Sequence, residues 1–429
     1  MKVAYVVGSF PYVSETFIVN EIVGVAARGH VVDIFTTCEG EVSSIPPGVH
    51  HYGLMRRTHR LFGSHSYAVR LAQLIGLLFA YGWRSPKVVL RALGSFRRKG
   101  VATGMWLLYA ALTMMRLGAR DYDIIHAQFG TYGVIALGLE EIGAMRGAIV
   151  TSFRGFDVMK EIQSDVDIYR RLFHKGSLFL PVSATLGRRL LDAGCEPSKM
   201  HVHHSGIDCH RVAFAPRTHK KQECTNLITV ARLVEKKGTC YALEAVARLI
   251  TLGRPIHYTI VGDGPLRGSL EDLAKTLDIA SQVTFAGWKS HDDAMRLMQS
   301  AHVLVAPSIT ATDGDEEGIP NSVKEAMALG ILVVSTTHGG IPELVEDGVS
   351  GFLVPERNVE VLAKKLACLI DHPETWAEVS RLARHRIETE FDIEKLNDEL
   401  IALYQEASAP PRHGRTPDLG RVYTAKGAR

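Results

Sequence analysis

The sequence predicts an α/β protein built from two Rossmann-like, doubly wound domains. At 429 residues the chain is long enough for two or three domains, and its 46% hydrophobic content can fill their cores. Apolar strand patterns at residues 3–7 and 31–36 flank a helical pattern at about 14–28, and such a β-α-β unit implies a parallel sheet. The alternation starts again with a strand pattern at 227–230, a helix to about 250 and a strand at 256–261.

Charge and cysteine content narrow the class of protein. The net charge is +3, which does not favour a nucleic-acid partner. The six cysteines are scattered without paired metal-ligand spacing, so we interpret them as reduced packing residues of a cytoplasmic protein. The N-terminal strand runs directly into a turn at Gly8, and we therefore expect no signal peptide.

The first domain carries two features near its first strand. Gly8 follows that strand, at the edge where open α/β sheets bind ligands, and is a candidate for close approach to a donor or acceptor. Ser14 is a candidate helix cap, and Glu15 suits the first turn of the same helix. A substrate role for Glu15 is the alternative.

Residues 54–120 differ in character, because basic residues are interleaved with apolar runs at 71–83 and 101–115. Neither run reaches the ~20 apolar residues of a membrane-spanning helix. The first interpretation is that both are core helices of the first domain. The alternative is a basic, apolar surface that contacts an anionic membrane, where each basic side chain adds ~1 kcal/mol.

The most informative stretch lies between residues 303 and 356. A buried strand pattern at 303–307 is followed by an acidic loop ending in Glu317, and a helix then carries Glu325 and ends before Gly330. Pro320 suits the first turn of that helix. The N-terminus of a helix favours phosphate, and a carboxylate beside it can bind both hydroxyls of a ribose. The two carboxylates can therefore converge on one ligand.

The stretch resembles the donor-site signature of the family-four retaining glycosyltransferases, which have the GT-B fold. The resemblance is carried by Glu317-Gly318-Ile319-Pro320, Glu325-Ala326-Met327-Ala328-Leu329-Gly330 and Gly339-Gly340-Ile341-Pro342-Glu343, and it continues through Asp347-Gly348 and Gly351-Phe352-Leu353-Val354-Pro355. It extends over nearly all of residues 1–406 and is nearest to the colanic-acid and exopolysaccharide biosynthesis enzymes. It implies two Rossmann-like domains facing a cleft, with Gly318, Ile319 and Asn321 beside the donor.

The resemblance also implies the division of the chain. Residues 1–208 would form an acceptor-side domain, and 225–390 a nucleotide-sugar donor domain. The polar residues 209–224 would be the linker. A last helix at 391–407 would cross back to the first domain, and the Pro-, Gly- and Arg-containing tail 408–429 is expected to be disordered.

Arg232 and Lys237 stand where the family holds the donor diphosphate. The electrostatic argument is independent. A nucleotide-sugar diphosphate carries about two negative charges, whereas a helix end supplies only ~0.5 of a positive charge. An arginine and a lysine together balance that charge.

Three further positions take their roles from the resemblance to the first domain of the family. His126 ends a strand that reaches the cleft in the family and is the best side-chain candidate for a catalytic base. A buried histidine satisfied by its neighbours is the alternative. Gln128 stands where many relatives have a second histidine, and Arg154 replaces a histidine in an aromatic-His-Gly-aromatic-Asp turn. Arg154 could hold an anionic group of the donor or acceptor.

Gly262 and Gly264 follow the strand at 256–261, but Arg267 occupies the third glycine position of a dinucleotide fingerprint. We therefore interpret them as a turn beside the donor rather than as an NAD site. Phe285 lies in the family's base-binding strand, where backbone groups read the base.

Asp313 and Asp315 form an Asp-x-Asp pair that in other glycosyltransferases holds a divalent cation. We reject a metal site here because the resemblance implies that Arg, Lys and backbone neutralise the diphosphate. The predicted donor is therefore a substrate, and no cofactor is expected.

The sequence thus predicts a metal-independent, retaining hexosyltransferase that moves a hexose from a nucleotide sugar to a growing, lipid-linked polysaccharide or glycan. The expected location is the cytoplasm, with a peripheral contact through 54–120 to the inner face of the plasma membrane as an open alternative. Two other functions remain open: a non-catalytic nucleotide-sugar-binding protein, and a nucleotide-sugar epimerase of the same fold.

Overall fold

The computed structural model of the chain describes residues 1–12, 15–38, 40, 45–62, 67–99, 101–118, 121–220 and 223–409, with backbone only at 67, 68, 96–99 and 101–104. The chain forms two compact units. The first comprises Met1–Val182, Gly187–His203 and the chain from Asn397, and the second comprises Ser183–Leu186 and His204–Leu396. The expected helix cap Ser14 and most of the tail, 410–429, lie outside the described residues.

The first unit is built on a parallel six-stranded sheet with strand order β3-β2-β1-β4-β5-β6. Helices connect successive strands, as the β-α-β pattern predicts. The strands are β1 (Lys2–Val7), β2 (Val31–Thr36), β3 (Thr58–Arg60), β4 (Asp121–Gln128), β5 (Arg146–Phe153) and β6 (Leu178–Pro181). The helices up to residue 192 are α1 (Thr16–Ala27), α2 (Pro47–His51), α3 (Tyr67–Tyr81), α4 (Pro86–Lys99), α5 (Val101–Leu117), α6 (Gly130–Ile142), α7 (Phe156–Met159), α8 (Glu161–Ser164), α9 (Arg170–Lys175) and α10 (Ala184–Asp192).

The second unit repeats the arrangement with strand order β12-β11-β10-β7-β8-β9, again all parallel. Its strands are β7 (Thr225–Val230), β8 (Ile256–Val261), β9 (Val283–Gly287), β10 (Val303–Ala306), β11 (Leu332–Thr336) and β12 (Phe352–Val354). The helices are α11 (Thr239–Thr251), α12 (Arg267–Thr276), α13 (His291–Gln299), α14 (Asn321–Leu329), α15 (Ile341–Leu344), α16 (Val359–Asp371) and α17 (Trp376–Glu390). The last helix, α18 (Ile393–Ser408), contributes its residues from Asn397 onward to the first unit.

Short 3₁₀ helices join several elements, at Leu54–Arg57, Gly82–Arg84, Pro197–Lys199, Glu235–Lys237 and Pro373–Thr375.

The second sheet is covered on both faces, which explains its nearly continuous apolar strands. Along β10, Val303 and Val305 enter one core cluster, whereas Leu304 enters the cluster on the opposite face. Leu227 and Ile228 of β7 divide in the same way, because successive side chains of a strand point to opposite faces. A single apolar run therefore supplies two cores.

The predicted linker, 209–224, contains no helix or strand in its described part. Two of its residues, Cys209 and Val212, are buried in the core of the second unit. The guanidinium of Arg384 donates to the backbone carbonyls of both of them. The start of this segment is therefore packed against α17.

The prediction of core helices holds for one of the two apolar runs of the first unit and fails for most of the other. The prediction that 101–115 is a core helix is confirmed, because α5 buries Leu107, Leu112 and Met114. The same prediction for 71–83 is wrong for most of that run: Leu74 is buried, but Phe79 is 82% exposed and Trp83 is 71% exposed. Among the described helices, none combines the length and the apolar character that crossing a bilayer requires.

Candidate functional site

The strand order of the second sheet locates its ligand-binding edge. Connections from β7 run outward through β8 and β9, whereas β10 and its successors lie on the other side of β7. In such sheets ligands bind beyond the carboxyl ends of the strands, where the order reverses. That position lies between β7 and β10. The loop after β7 carries Arg232 and Lys237, and the loop after β10 carries Glu317.

The loop after β7 is held close to β10 by a glycine. Gly238 has φ +61°, a left-handed conformation, and a Cβ there would lie 2.0 Å from the carbonyl oxygen of Pro307. The 3₁₀ helix that precedes it ends at Lys237. The glycine therefore sets Lys237 beside the chain that leaves β10.

Lys237 forms an ion pair with Glu317, and the two side chains are only 18% and 14% exposed. Burial by itself raises the pKa of Glu317, but the ammonium groups of Lys237 and Lys236 outweigh it, and the pKa of this carboxyl is lowered. Glu317 is therefore an anion at neutral pH. The structure brings together the two residues assigned from the sequence to the diphosphate and to the donor sugar.

The backbone of Glu317 is fixed by a hydrogen-bond relay through a buried histidine. Its N–H donates to Nε2 of His338 at 2.9 Å. Nε2 is thus an acceptor, so Nδ1 carries the proton and donates to Oε1 of Glu356 at 2.6 Å. The other carboxylate oxygen of Glu356 accepts the N–H of Thr310 at 2.8 Å. His338 is 1% exposed, so it holds the backbone of Glu317 from the interior of the unit.

The glycine loop after β11 packs on the same residue. Gly339 has φ +53°, and a Cβ on it would lie 2.0 Å from the carbonyl oxygen of Glu317. The N–H of Gly340 donates to the carbonyl of Gly318 at 3.0 Å. The two glycines permit this close approach of backbone to backbone, which accounts for their place in the signature.

The acidic loop before Glu317 is held by a second lysine. Nζ of Lys236 lies 3.1 Å from Oδ1 of Asp315 and donates to the carbonyl of Glu316 at 3.2 Å. Asp313 accepts the N–H of Asp315 at 3.1 Å. Within the described part of the chain, no cluster of three or more acidic, histidine or cysteine side chains has the arrangement of a metal site.

Helix α14 begins one residue later than predicted. Pro320 is extended, with φ −70° and ψ 129°, and it is the N-cap rather than a residue of the first turn. It offers no side-chain cap, so the first N–H groups of α14, from Asn321, point away from the helix without an intrahelical partner. Gly318 precedes this end and Ile319 is buried in the core beneath it. Gly330 ends the helix in a left-handed conformation, as predicted.

Glu325 lies on α14, one turn inside the helix, with its side chain 18% exposed. Its Oε1 is 3.0 Å from Nε2 of His291, the first residue of α13. The hydrogen bond to Glu325 is the main cause that raises the pKa of His291. Among the described residues, none donates a hydrogen bond to the second carboxylate oxygen.

Arg232 is exposed at the same edge. Among the described residues, none forms a hydrogen bond or ion pair with its guanidinium. Its charge is therefore available to a ligand without the prior loss of a protein contact.

Gly262 and Gly264 lie after β8 and pack against the loop that carries Arg232. A Cβ on Gly262 would lie 1.8 Å from the carbonyl oxygen of Ala231, and one on Gly264 would lie 2.5 Å from that of Leu233. Phe285 of β9 is half-buried against the core of the unit. These glycines position the Arg232 loop, whether or not they also contact a donor.

In the first unit, Gly8 follows β1 as predicted. A Cβ on Gly8 would lie 2.5 Å from the hydroxyl oxygen of Tyr132. A side chain at this position would therefore require the Tyr132 side chain to shift.

His126 lies on β4 and has no exposed surface. Its Nδ1 is 2.5 Å from the hydroxyl of Tyr404, and its Nε2 is 2.8 Å from Oγ of Ser152. Burial lowers the pKa of His126 to about 4, so the ring is neutral at pH 7. This environment is the one that the alternative, a buried and satisfied histidine, describes.

Arg154 belongs to the same polar network. Its Nη2 donates to Oε2 of Glu21 at 2.8 Å, and its Nε and Nη2 donate to Oε1 of Gln128 at 2.9 and 2.6 Å. The side chain is 6% exposed, and its guanidinium lies 4.7 Å from the ring centre of Phe17. An anionic ligand would have to compete with Glu21 for this group.

Two family models together match most of the chain. The model described as Glycosyltransferase Family 4 matches residues 14–211, and the model described as Glycosyl transferases group 1 matches residues 213–386. The putative colanic acid biosynthesis glycosyltransferase WcaL of Salmonella typhimurium is 36% identical over 94% of this chain and 100% of WcaL. The chain belongs to the family 4 glycosyltransferases.

Two further comparisons agree with this family. The amylovoran biosynthesis glycosyltransferase AmsK of Erwinia amylovora is 33% identical over 91% of this chain and 96% of AmsK. The crystal structure of Anabaena Alr3699/HepE in complex with UDP superposes with a TM-score of 0.69, at 18% identity, over 95% of this chain and 100% of HepE. The predicted GT-B fold class and the resemblance to exopolysaccharide enzymes are confirmed.

Sequence reasoning did not find four groups that contact the candidate site residues or their loops: Lys236, His291, His338 and Glu356. His338 immediately precedes the Gly339-Gly340 pair of the signature, and Glu356 follows its last proline. The position of His338 and Glu356 next to the signature is the one signal that could have indicated these two residues.

Proposed function

We propose that this glycosyltransferase moves a hexose, with retention of configuration, from a nucleotide-sugar donor to a growing glycan. The observation that carries the proposal is the partly buried ion pair between Lys237 and Glu317, which lies at the edge where β7 and β10 diverge. A lysine and an acid are the two groups that a sugar diphosphate needs side by side, one for the phosphate and one for the sugar hydroxyls.

The diphosphate would be bound by three sources of positive charge. Arg232 is exposed and has no competing protein partner among the described residues, Lys237 lies nearby in sequence, and the uncapped end of α14 supplies backbone N–H groups. At ~4 Å and an effective dielectric constant of ~20, each cation contributes ~4 kcal/mol of Coulomb energy before desolvation. As the bond to the sugar breaks, negative charge grows on the leaving diphosphate, and these groups stabilise it.

The two acids would hold the two sugars of the donor. Glu325 has one carboxylate oxygen on His291 and another available to the ribose hydroxyls. Glu317 is held as an anion and can accept hydrogen bonds from hydroxyls of the transferred hexose. The relay through His338 keeps its backbone in place while the ligands exchange.

In the transfer step, the acceptor hydroxyl attacks the anomeric carbon from the side on which the diphosphate leaves. The bond from the anomeric carbon to the phosphate oxygen breaks, the bond to the acceptor oxygen forms, and the proton of the acceptor passes to the departing phosphate oxygen. This route needs no protein base. It is favoured over proton transfer to His126, because both ring nitrogens of His126 are already engaged.

The transfer is proposed to need no metal ion. Lys236 already balances the charge of Asp315 in the Asp-x-Asp loop. The lysine and arginine of the β7 loop then take the place of a divalent cation at the diphosphate.

The donor and acceptor classes are proposed from relatives. HepE has been crystallised with UDP-glucose, and the names of WcaL and AmsK place them in colanic acid and amylovoran biosynthesis. We therefore propose a nucleotide-hexose donor and a lipid-linked polysaccharide acceptor on the cytoplasmic face of the membrane.

The test is to incubate the purified protein with a panel of nucleotide sugars and to measure release of nucleoside diphosphate, with and without a lipid extract that contains acceptor. The proposal predicts release from one donor, faster with extract, with no loss on addition of EDTA. Lys237→Ala should abolish most of it, whereas Lys289→Ala, at an exposed lysine of the same unit, should not. Binding without release would indicate a non-catalytic protein, and conversion of free donor without acceptor would indicate an epimerase.

A further inference from the structure

Helix α3 is apolar almost all round and yet lies on the surface. In its described part, residues 69–81, Leu74 is the one buried side chain, while Leu71, Ile75, Leu78 and Phe79 are between 37% and 82% exposed. A helix that is hydrophobic on all sides is normally covered by other elements. This exposure therefore indicates an apolar environment that the described part of the chain does not supply.

The next two elements also expose apolar side chains, and like α3 they pack against α5. Trp83 in the 3₁₀ turn after α3 is 71% exposed, and Leu90 and Leu93 on α4 are 66% and 44% exposed. Lys87 and Arg91, one turn apart on α4, are exposed beside Leu90. We call the exposed side chains of residues 69–93 the α3–α4 surface.

The charge of this part of the chain has one sign. Residues 42–120 contain twelve Lys and Arg and no Asp or Glu, in a chain whose net charge is only +3. The remainder of the chain is therefore negative overall. A charge separation of this size favours contact with an anionic partner.

The exposed apolar side chains and their basic neighbours together distinguish a membrane from a nucleic acid as the partner of this surface. Nucleic acid would be bound by basic groups without a need for exposed Phe, Leu and Ile. An anionic membrane uses both, since basic side chains attract the lipid phosphates and apolar ones enter the acyl boundary. The Arg84 guanidinium lies 5.1 Å from the ring centre of Tyr81, which keeps a cation beside the aromatic groups that prefer the membrane interface.

The length of α3 limits how this helix can contact a membrane. Its 15 residues extend ~22 Å, less than the ~30 Å of a hydrocarbon core, so the helix can lie in the interface but cannot cross it. We infer that the α3–α4 surface inserts Phe79, Trp83 and Leu90 into the interface of an anionic lipid membrane. This goes beyond the proposed function, since docking needs neither donor nor turnover.

The experiment is flotation of the purified protein with vesicles of phosphatidylglycerol and phosphatidylcholine in equal parts, and with vesicles of phosphatidylcholine alone. Binding to the anionic vesicles is expected, together with quenching of tryptophan emission by brominated lipid that Trp83→Phe reduces. The pair Phe79→Ser with Trp83→Ser should weaken binding about tenfold or more, because two large apolar groups no longer leave water. The pair Lys87→Gln with Arg91→Gln should weaken it about 30-fold, at ~1 kcal/mol for each charge.

Matched controls come from the second unit. Leu252 is 71% exposed and Arg248 is exposed on α11, so Leu252→Ser and Arg248→Gln should leave binding unchanged. Equal thermal midpoints would show that each variant is folded. Quenching of the wild-type protein tests membrane contact without a variant, and Trp83→Phe then assigns the quenched emission to Trp83.

Three results would overturn the inference: no binding to the anionic vesicles, binding that the Phe79 and Trp83 substitutions leave unchanged, or self-association through this surface in place of vesicle binding. Donor hydrolysis measured without vesicles separates this inference from the proposed function. The Phe79 and Trp83 variants should hydrolyse donor at the wild-type rate, and Lys237→Ala should bind vesicles as the wild type does.

Discussion

Replacement of Lys237 by alanine tests the ion pair on which the donor site is built. The change removes the ammonium that contacts Glu317 and that we propose contacts the diphosphate. It also removes the strongest influence that lowers the pKa of Glu317, because the effect of Lys237 on this carboxyl exceeds that of Lys236. The pKa of Glu317 should therefore rise in this variant.

The expected loss of activity follows from the charge-assisted hydrogen bond that the substitution removes. A charge-assisted hydrogen bond contributes about 1.5–3 kcal/mol, which corresponds to roughly 10- to 150-fold in kcat/KM. Part of the change will act on stability. Removing one partner of a fully buried pair costs about 3–5 kcal/mol, but both side chains here retain some exposure, so the cost should be lower.

The assay is the steady-state release of nucleoside diphosphate, with kcat and KM measured separately, beside the thermal midpoint of each variant. Lys237→Arg should recover part of the activity because it retains the charge. Lys289→Ala is the matched control at an exposed lysine of the same unit. Activity of Lys237→Ala within twofold of wild type, in a folded protein, would refute the proposed role.

Three other predictions concern single residues. Glu325→Ala should raise the donor Kd about tenfold or more by removing the acceptor of the ribose hydroxyls, as calorimetry can measure; an unchanged Kd would contradict this role. His338→Ala should lower the free energy of unfolding by about 1–3 kcal/mol and reduce turnover, since the N–H of Glu317 loses its acceptor. Denaturant titration measures the first effect, and a wild-type free energy of unfolding together with wild-type turnover would contradict the role of His338. His126 is held neutral with a pKa of about 4, whereas the unfolded chain binds its proton near pH ~6.5. Stability should therefore fall as pH decreases between these values, by ~3 kcal/mol at most, and His126→Gln should flatten this dependence; parallel pH curves would contradict the assignment.

The fold could be predicted because its signals are local. Alternating apolar strands and helical patterns specify β-α-β units, and those units admit one handedness and a parallel sheet. The bounds of α14 were displaced by one residue because Pro320 is equally compatible with the N-cap and the first turn, and the sequence does not contain the ψ angle that decides between them.

The partners within the site could be predicted only in part. Lys237 and Glu317 were both identified from the sequence, but their contact joins residues far apart in the chain, so no spacing indicates it. His338 was missed for the same reason. Its function depends on which ring nitrogen accepts the N–H of Glu317, and that is a property of the packed loops rather than of the sequence.

In the first unit, one prediction failed because composition does not show where a helix packs. Composition predicted that the run at 71–83 would be buried, because apolar residues usually are. The structure exposes Phe79 and Trp83 and covers α5 instead. An apolar composition indicates that a segment is covered by other apolar groups, but it does not show whether those groups belong to the same chain.

The most direct test of the donor site is a crystal structure of the protein with a nucleotide sugar that it hydrolyses. The account predicts the diphosphate against Arg232, Lys237 and the first N–H groups of α14, the ribose on Glu325 and the hexose on Glu317. A nucleotide bound away from these residues, or a carboxylate of Glu317 that contacts no part of the donor, would contradict it.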